Sequence, residues 1–175
     1  KLAEDKFIIG YFSGSGTHNR DFALVAPVLA KIMQQYKQVE LLIAGCMELP
    51  AELEGLDKRI RRIDFMDWRR LPQYIANVHL NIQPLQNTFF HSCKSENKWM
   101  EAALVATPTI ASKNDELERV IRHDVDGVLC DSELQWEKAI VRFVERPEEA
   151  VAIGEQAYKR VIREYMVVER ELKIF

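Results

Sequence analysis

The chain has 175 residues, of which 47% are hydrophobic and 29% charged; these are globular proportions and exclude a disordered or low-complexity segment. A chain of that length buries one good core, so residues 1–175 read as a single domain. The formal net charge is -3 with acidic and basic residues interspersed, which argues against a nucleic-acid partner.

No apolar run is long enough to span a bilayer, and no signal peptide opens the chain, so a cytoplasmic protein is expected. Cys46, Cys93 and Cys130 are isolated and odd in number. They suit free thiols in a reducing compartment, not disulfides or a zinc site.

Phe7–Phe12 is a continuous apolar run, suited to a buried parallel strand. It runs into Ser13-Gly-Ser-Gly-Thr-His-Asn-Arg20, after which apolar residues recur at helical spacing and predict a helix over 20–36. Strand, Gly-rich loop and helix form a phosphate-cradling arrangement, since glycines let the backbone approach and the helix end faces the anion. Ser13, Gly14, Ser15 and Gly16 are the loop candidates, and His18 beside them is a candidate donor to a phosphate oxygen. Gly14 and Gly16 begin a dinucleotide fingerprint, but Asn19 occupies the third glycine position, and the Gly-Lys-Ser/Thr of a P-loop is absent.

Val39–Gly45 is the second strand, and an acidic loop follows over 47–57. Arg59–Phe65 alternates polar and apolar residues, as an outer strand does. Asp67 caps a short helix over 69–77, with Leu71 and Tyr74 or Ile75 facing inward. Val78–Gln83 is the next strand and stops at Pro84. The long loop 84–93 carries Phe89 and Phe90, which suit either covering a ligand or anchoring the loop. A helix over 95–106, a strand over 108–111, a helix over 116–122 and a strand over 127–130 come next. Ser132 or Asp131 caps a helix over 133–145, Pro147 opens another to about Tyr165, and 167–175 continues as a last helix. This alternation predicts an α/β, Rossmann-like open parallel sheet of about six strands with helices on both faces. Ligands of such sheets bind at the carboxyl ends of the strands, where loops 13–19, 64–68 and 84–95 fall.

The segment Lys94-Ser-Glu-Asn-Lys-Trp-Met-Glu-Ala-Ala103 is the richest in chemistry. Lys94, Ser95, Glu96, Lys98 and Glu101 crowd the start of its helix. A cation for phosphate and a carboxylate for sugar hydroxyls, three residues apart on one helix face, suit a nucleotide-sugar pocket. A Ser-capped helix with solvated charges accounts for the same residues equally well. Other features read blandly. Asp124-Val-Asp126 precedes Gly127 and reads as a turn, not a metal motif. The four histidines lack metal spacing, and His79 reads as structural. Trp99 and Met100 read as core. The cluster Arg59, Arg61, Arg62, Arg69 and Arg70 reads as a solvated face, with lipid head groups or a phosphorylated acceptor as the alternative.

Two motifs carry a resemblance. Glu101-Ala-Ala-Leu-Val-Ala-Thr-Pro-Thr-Ile-Ala-Ser112 resembles the second half of the Glu-x7-Glu donor region of retaining GT-B glycosyltransferases, the large family-four group. Gly14-Ser-Gly-Thr-His-Asn-Arg-Asp-Phe22 and Lys94–Ala103 resemble a bacterial subgroup that builds cell-surface polysaccharides and glycolipids. The resemblance covers roughly residues 7–165. It implies the C-terminal, donor-binding half of a hexosyltransferase. The N-terminal acceptor half is not in this sequence, which opens on Lys1 without a Met, as an excised domain would. The first motif Glu falls at Cys93, so that carboxylate is missing, and Glu96 is the candidate for part of its role.

The resemblance further implies Arg20, Lys98 and Glu96 as the catalytic set. The donor diphosphate and sugar would meet Ser13, Gly14, Ser15, Gly16, Arg20, Cys93, Lys94, Ser95, Glu96 and Lys98. Glu101 would take the ribose, and Asp64, Phe65, Met66 and Leu71 the base. The implied ligand is a UDP-sugar, first UDP-glucose, or a GDP-sugar, with no metal and no cofactor required. The implied acceptor is a saccharide or glycolipid bound through the missing half. Peripheral association of the full-length enzyme with the inner face of the membrane fits such an acceptor. A dinucleotide-using oxidoreductase domain and a non-catalytic nucleotide-binding α/β module are the two other classes left open.

Overall fold

A computed structural model describes residues 5–13, 19–86 and 96–165. Six strands form one sheet: β1 (Phe7–Phe12), β2 (Val39–Ala44), β3 (Ile60–Ile63), β4 (Leu80–Gln83), β5 (Thr109–Ser112) and β6 (Val128–Cys130). Their order is β3-β2-β1-β4-β5-β6, and every pair is parallel. The helices of the described residues are α1 (Asn19–Ala23), α2 (Ala26–Gln35), α3 (Leu71–Ile75), α4 (Asn97–Ala103), α5 (Asp115–Val120), α6 (Glu133–Glu145) and α7 (Pro147–Glu164). This is the expected Rossmann-like fold. Its chain order reverses between β1 and β4, the switch point at which such sheets bind ligands.

Period-two alternation divides the core. Leu41 and Ile43 face α2 and α6, in one cluster with Ile9, Tyr11, Leu29, Ile140 and Phe143. Leu42 and Ala44 face the other way, with Phe12, Ile75, Val78 and Ala102. A third cluster joins Trp99 and Ala103 of α4 to Leu117, Leu129, Ala157 and Val161. Both faces of the sheet are therefore covered, which is why its strands read as apolar runs. Trp99 is 0% exposed, and its indole N–H donates to the Asp126 carbonyl at 2.8 Å.

Several boundaries differ from expectation. The helix expected over 20–36 is broken between Ala23 and Ala26. Pro27 has no N–H to give the Ala23 carbonyl, and its ring would collide there. The chain instead tightens, with Leu24 and Val25 N–H donating to the Asp21 and Phe22 carbonyls. Asp67 caps as expected, accepting the Arg69 N–H at 3.0 Å, although a 3-10 turn over Trp68–Arg70 precedes α3. Asn114, not foreseen as a cap, accepts the Leu117 N–H at the start of α5. Ser132 occupies the N-cap position of α6 without a side-chain capping bond, while Gln135 Oε1 accepts the Asp131 N–H instead. The helix expected over 167–175 lies outside the described residues.

The bland readings hold where they are described. Asp124 adopts a left-handed turn, φ 59°. His79 Nδ1 accepts the Ile8 N–H at 2.9 Å, and Met100 packs at the edge of the core. Cys46 and Cys130 are free thiols; burial pushes the Cys130 thiol up to about 12, so it stays protonated. Cys93 lies outside the described residues. No helix of the described residues is long and apolar enough to cross a membrane.

Candidate functional site

A cavity of about 320 Å³ opens at the switch point. Phe12 and Ser13 line it from the end of β1, and Ala44 and Gly45 from the end of β2. Asp64, Phe65 and Met66 follow β3 into its wall, with Trp68 and Leu71 beyond them. Asn97, Lys98 and Glu101 of α4 complete the lining. The seven expected residues Ser13, Asp64, Phe65, Met66, Leu71, Lys98 and Glu101 thus share one cleft, although they are scattered along the chain.

Backbone bonds set the rim. Ser13 N–H donates to the Ala44 carbonyl at 2.8 Å, and Gly45 N–H to the Ile63 carbonyl at 2.9 Å. Gly45 sits at φ +107°, and a Cβ there would lie 1.9 Å from the Ser13 carbonyl oxygen. Only glycine lets the ends of β1 and β2 come this close. Lys98 Nζ lies 5.0 Å from the centre of the Tyr11 ring, a cation–π distance that holds the ammonium at the cleft. Burial pushes the Glu101 carboxyl above its ordinary range, and the Lys98 charge partly opposes this.

A buried carboxylate ties the two flanks together. Asp21, 1% exposed, accepts the Gln86 N–H through Oδ1 at 3.0 Å. It therefore joins α1 to the chain leaving β4. Burial, with a smaller contribution from Asp21, raises the Tyr11 hydroxyl well above its ordinary range, so that hydroxyl stays neutral.

Other expected site residues fall elsewhere. Arg20 is exposed on α1 and Glu96 precedes the first residue of α4; neither is among the residues lining the cavity. Gly14, Ser15, Gly16, His18, Phe89, Phe90, Cys93, Lys94 and Ser95 lie outside the described residues. Sequence reasoning missed Phe12, Ala44, Gly45, Trp68 and Asn97. Gly45 ending an apolar strand was the one legible signal among them.

A larger cleft of about 470 Å³ lies beside β6, away from the switch point. Two ion pairs lie in its lining: Lys113 with Glu118 at 3.2 Å and Arg142 with Asp124 at 2.8 Å. Among the described residues no three His, Cys, Asp or Glu side chains gather as metal ligands.

Residues 6–146 match the family model described as glycosyl transferases group 1. The chain belongs to this family. A search of the curated proteins finds no match to it. Solved structures share the fold of this glycosyl transferase group 1 chain. HepE of Anabaena, solved with UDP-glucose, superposes with a TM-score of 0.75 at 19% identity, over 97% of this chain and 48% of that one. The C-terminal domain of LpcC from Francisella tularensis gives 0.69 at 16% identity, over 93% and 87%. A mutant of S. aureus TarM, solved with fondaparinux, alpha-GlcNAc-glycerol and UDP, gives 0.73 at 14% identity, over 95% and 34%. The fold is that of the C-terminal domains of GT-B glycosyltransferases. The group 1 chain spans about half the length of the HepE chain.

Proposed function

We propose that this chain is the donor-binding half of a retaining hexosyltransferase that takes a UDP-sugar, UDP-glucose first. The observation that carries the reading is the switch-point cleft, which gathers Lys98 and Glu101 with the apolar side chains of Phe65, Met66 and Leu71 in one cavity. A nucleotide sugar has matching parts: an anionic diphosphate, a hydroxylated ribose and a flat base. HepE and TarM, of the same fold, were solved with UDP.

In this reading Lys98 and Arg20 hold the diphosphate and offset the charge growing on the departing phosphate oxygen. Lys98 does so from the cleft. Arg20 does so from the start of α1, which follows β1. These cations supply the positive charge without a metal ion. Glu101 accepts hydrogen bonds from the ribose hydroxyls, the base lies along the backbone of 64–66 above Leu71, and Glu96 faces the transferred sugar. The acceptor, a saccharide or glycolipid carried by an N-terminal partner domain, attacks from the leaving-group side and configuration is retained. A pair of glycosidase-type carboxylates is unnecessary because the nucleotide is already a good leaving group. The complete enzyme works in the cytoplasm, at the inner face of the membrane when the acceptor is a lipid.

Phosphate binding is tested by charge removal. Lys98→Ala and Arg20→Ala should each weaken UDP binding by about 1–3 kcal/mol, the scale of a charge-assisted hydrogen bond. Uridine binding should change much less in the same calorimetric titrations. Equal losses for uridine and UDP would assign these side chains to the base or to folding.

Ribose binding is tested by Glu101→Gln, which keeps the shape, removes the charge and turns one acceptor oxygen into a donor. The variant should bind UDP more weakly and lose part of the preference for UDP over deoxy-UDP. An unchanged preference would remove Glu101 from the ribose. The sign with pH follows from its raised carboxyl. Acidification protonates Glu101 sooner than a solvated carboxylate, so wild-type affinity should begin to fall above the ordinary Glu range, and Glu101→Gln should lack that phase.

A further inference from the structure

Between Lys58 and Arg70 six cations stand against two acids, in a chain whose formal net charge is -3. This segment holds β3, the outermost strand at its end of the sheet. The two central residues of β3, Arg61 and Arg62, are both exposed, and alternation sends them to opposite faces. Arg61 is in register with Leu42, on the face that also carries Leu71 and Tyr74 of α3. Arg62 lies on the other face and donates to the Met47 carbonyl. Lys58 precedes the strand, and Arg69 and Arg70 follow it, all three exposed. The acidic loop before β3 is anchored through buried Leu53 on the α2 side, and α3, which comes next, has no charged residue.

Charge on an edge strand has an ordinary use, since it deters pairing with another chain. That use does not account for the aromatic residues of the same segment. Phe65 is 66% and Trp68 76% exposed, and large apolar side chains left in water invite association instead of deterring it. Trp68 opens a 3-10 turn capped by Asp67, which also accepts Arg69 Nη2 at 2.7 Å. The indole is therefore carried on a braced turn with arginines next to it in the chain. Arginine beside exposed tryptophan matches the head-group layer of a bilayer, where guanidinium groups meet phosphates and the indole sits at the boundary between water and acyl chains.

We propose that this edge of the sheet, Lys58 to Arg70 with Trp68 at its rim, docks the chain on an anionic lipid surface. The cations stand on three successive pieces of chain: the turn before β3, β3 itself and the turn after it. A protein partner would need acids placed to match each of them, whereas a fluid lipid surface supplies phosphate wherever a cation lies. Phe65 and Trp68 also line the switch-point cavity, so the docking edge adjoins the cleft. The inference extends the glycolipid-acceptor part of the reading above by naming the surface that would meet the membrane.

The test is cosedimentation of this chain with vesicles of phosphatidylcholine alone and of phosphatidylcholine mixed in equal parts with phosphatidylglycerol, at low and high salt. Trp68 is the one exposed tryptophan of three, since Trp99 is 0% and Trp136 5% exposed, so its emission reports on the edge. Wild type should bind the anionic vesicles alone, less well at high salt, with a blue shift of emission. Arg61→Gln and Arg70→Gln should each weaken that binding about five-fold, and the double variant about 25-fold. Arg119→Gln, which removes an exposed charge elsewhere, should bind as wild type does. Trp68→Ala should bind more weakly and show no shift, with circular dichroism confirming that every variant is folded.

The proposal is overturned if wild type ignores anionic vesicles, if it binds them with unchanged emission, or if Arg119→Gln loses as much as Arg61→Gln. Binding of a single-stranded RNA in place of the vesicles would give the edge to a nucleic acid and also overturn it. UDP titrated without lipid keeps the two readings apart, because Arg61→Gln and Arg70→Gln should leave its affinity unchanged. Failure of UDP to bind would overturn the donor-binding reading and leave the vesicle result standing.

Discussion

Asp126→Ala should cost the fold about 3 kcal/mol, the low end of the range for removing one partner of a buried ion pair. Asp126 is 1% exposed. Its Oδ2 accepts Arg160 Nη1 at 2.8 Å and its Oδ1 accepts the Arg122 N–H at 2.8 Å. Arg160 also lies 5.4 Å from the Trp99 ring, as a cation–π neighbour. Removing the carboxylate leaves Arg160 buried with Glu164, 2.7 Å away, as its remaining ionic partner, and leaves the Arg122 N–H without its acceptor. The retained Glu164 contact puts the expected cost at the low end. Urea unfolding should show a lower midpoint at unchanged slope. Adding Arg160→Met should recover part of the loss, because the stranded charge is then gone. A cost below about 1 kcal/mol would mean that the pair is not buried as described.

Gly45→Ala should be comparably harmful, at about 3 kcal/mol of strain and lost bonds. The added methyl meets the Ser13 carbonyl oxygen at 1.9 Å, and φ +107° is open to glycine alone among ordinary residues. Relief requires the ends of β1 and β2 to separate. That weakens the Ser13–Ala44 bond and shifts both residues at the cleft rim. The variant should therefore lose nucleotide affinity as well as stability. The control is Gly55→Ala, where φ is +78° but nothing lies within 4 Å of the new Cβ. Gly55→Ala should cost backbone strain alone, about 1–2 kcal/mol, and leave the cleft unchanged. Equal behaviour of the two variants would show that the Ser13 contact is relieved without moving the site.

The fold was legible because the strands are buried on both sides. Continuous apolar runs such as Phe7–Phe12 and Val39–Ala44 announce parallel strands, and helical spacing between them leaves little room for another topology. The broken helix was legible in principle, since Pro27 carries the reason for the break. The chemical side of the cleft was also visible, because Lys98 and Glu101 are three residues apart on one helix.

The apolar side was visible only in part. Phe65 was among the base-binding residues that the resemblance implied, but Trp68 sits in a segment of mixed charge, where an aromatic residue reads as core. Its exposure is a tertiary fact that no local pattern encodes. Asp21 was hidden for the same reason. An acidic residue in a first helical turn reads as a dipole partner, and its bond to the Gln86 N–H, 65 positions away, appears only when the sheet closes.

The central claim is that the switch-point cleft binds a nucleoside diphosphate through Lys98 and Glu101. Its most direct test is calorimetric titration of this chain with UDP, GDP, ADP and NADH, in wild type and in the Lys98→Ala, Glu101→Gln double variant. UDP should bind wild type saturably and one-to-one, NADH should bind little or not at all, and the double variant should lose the UDP heat. Contradiction would be NADH binding as tightly as any nucleoside diphosphate, or UDP binding that the double variant leaves unchanged.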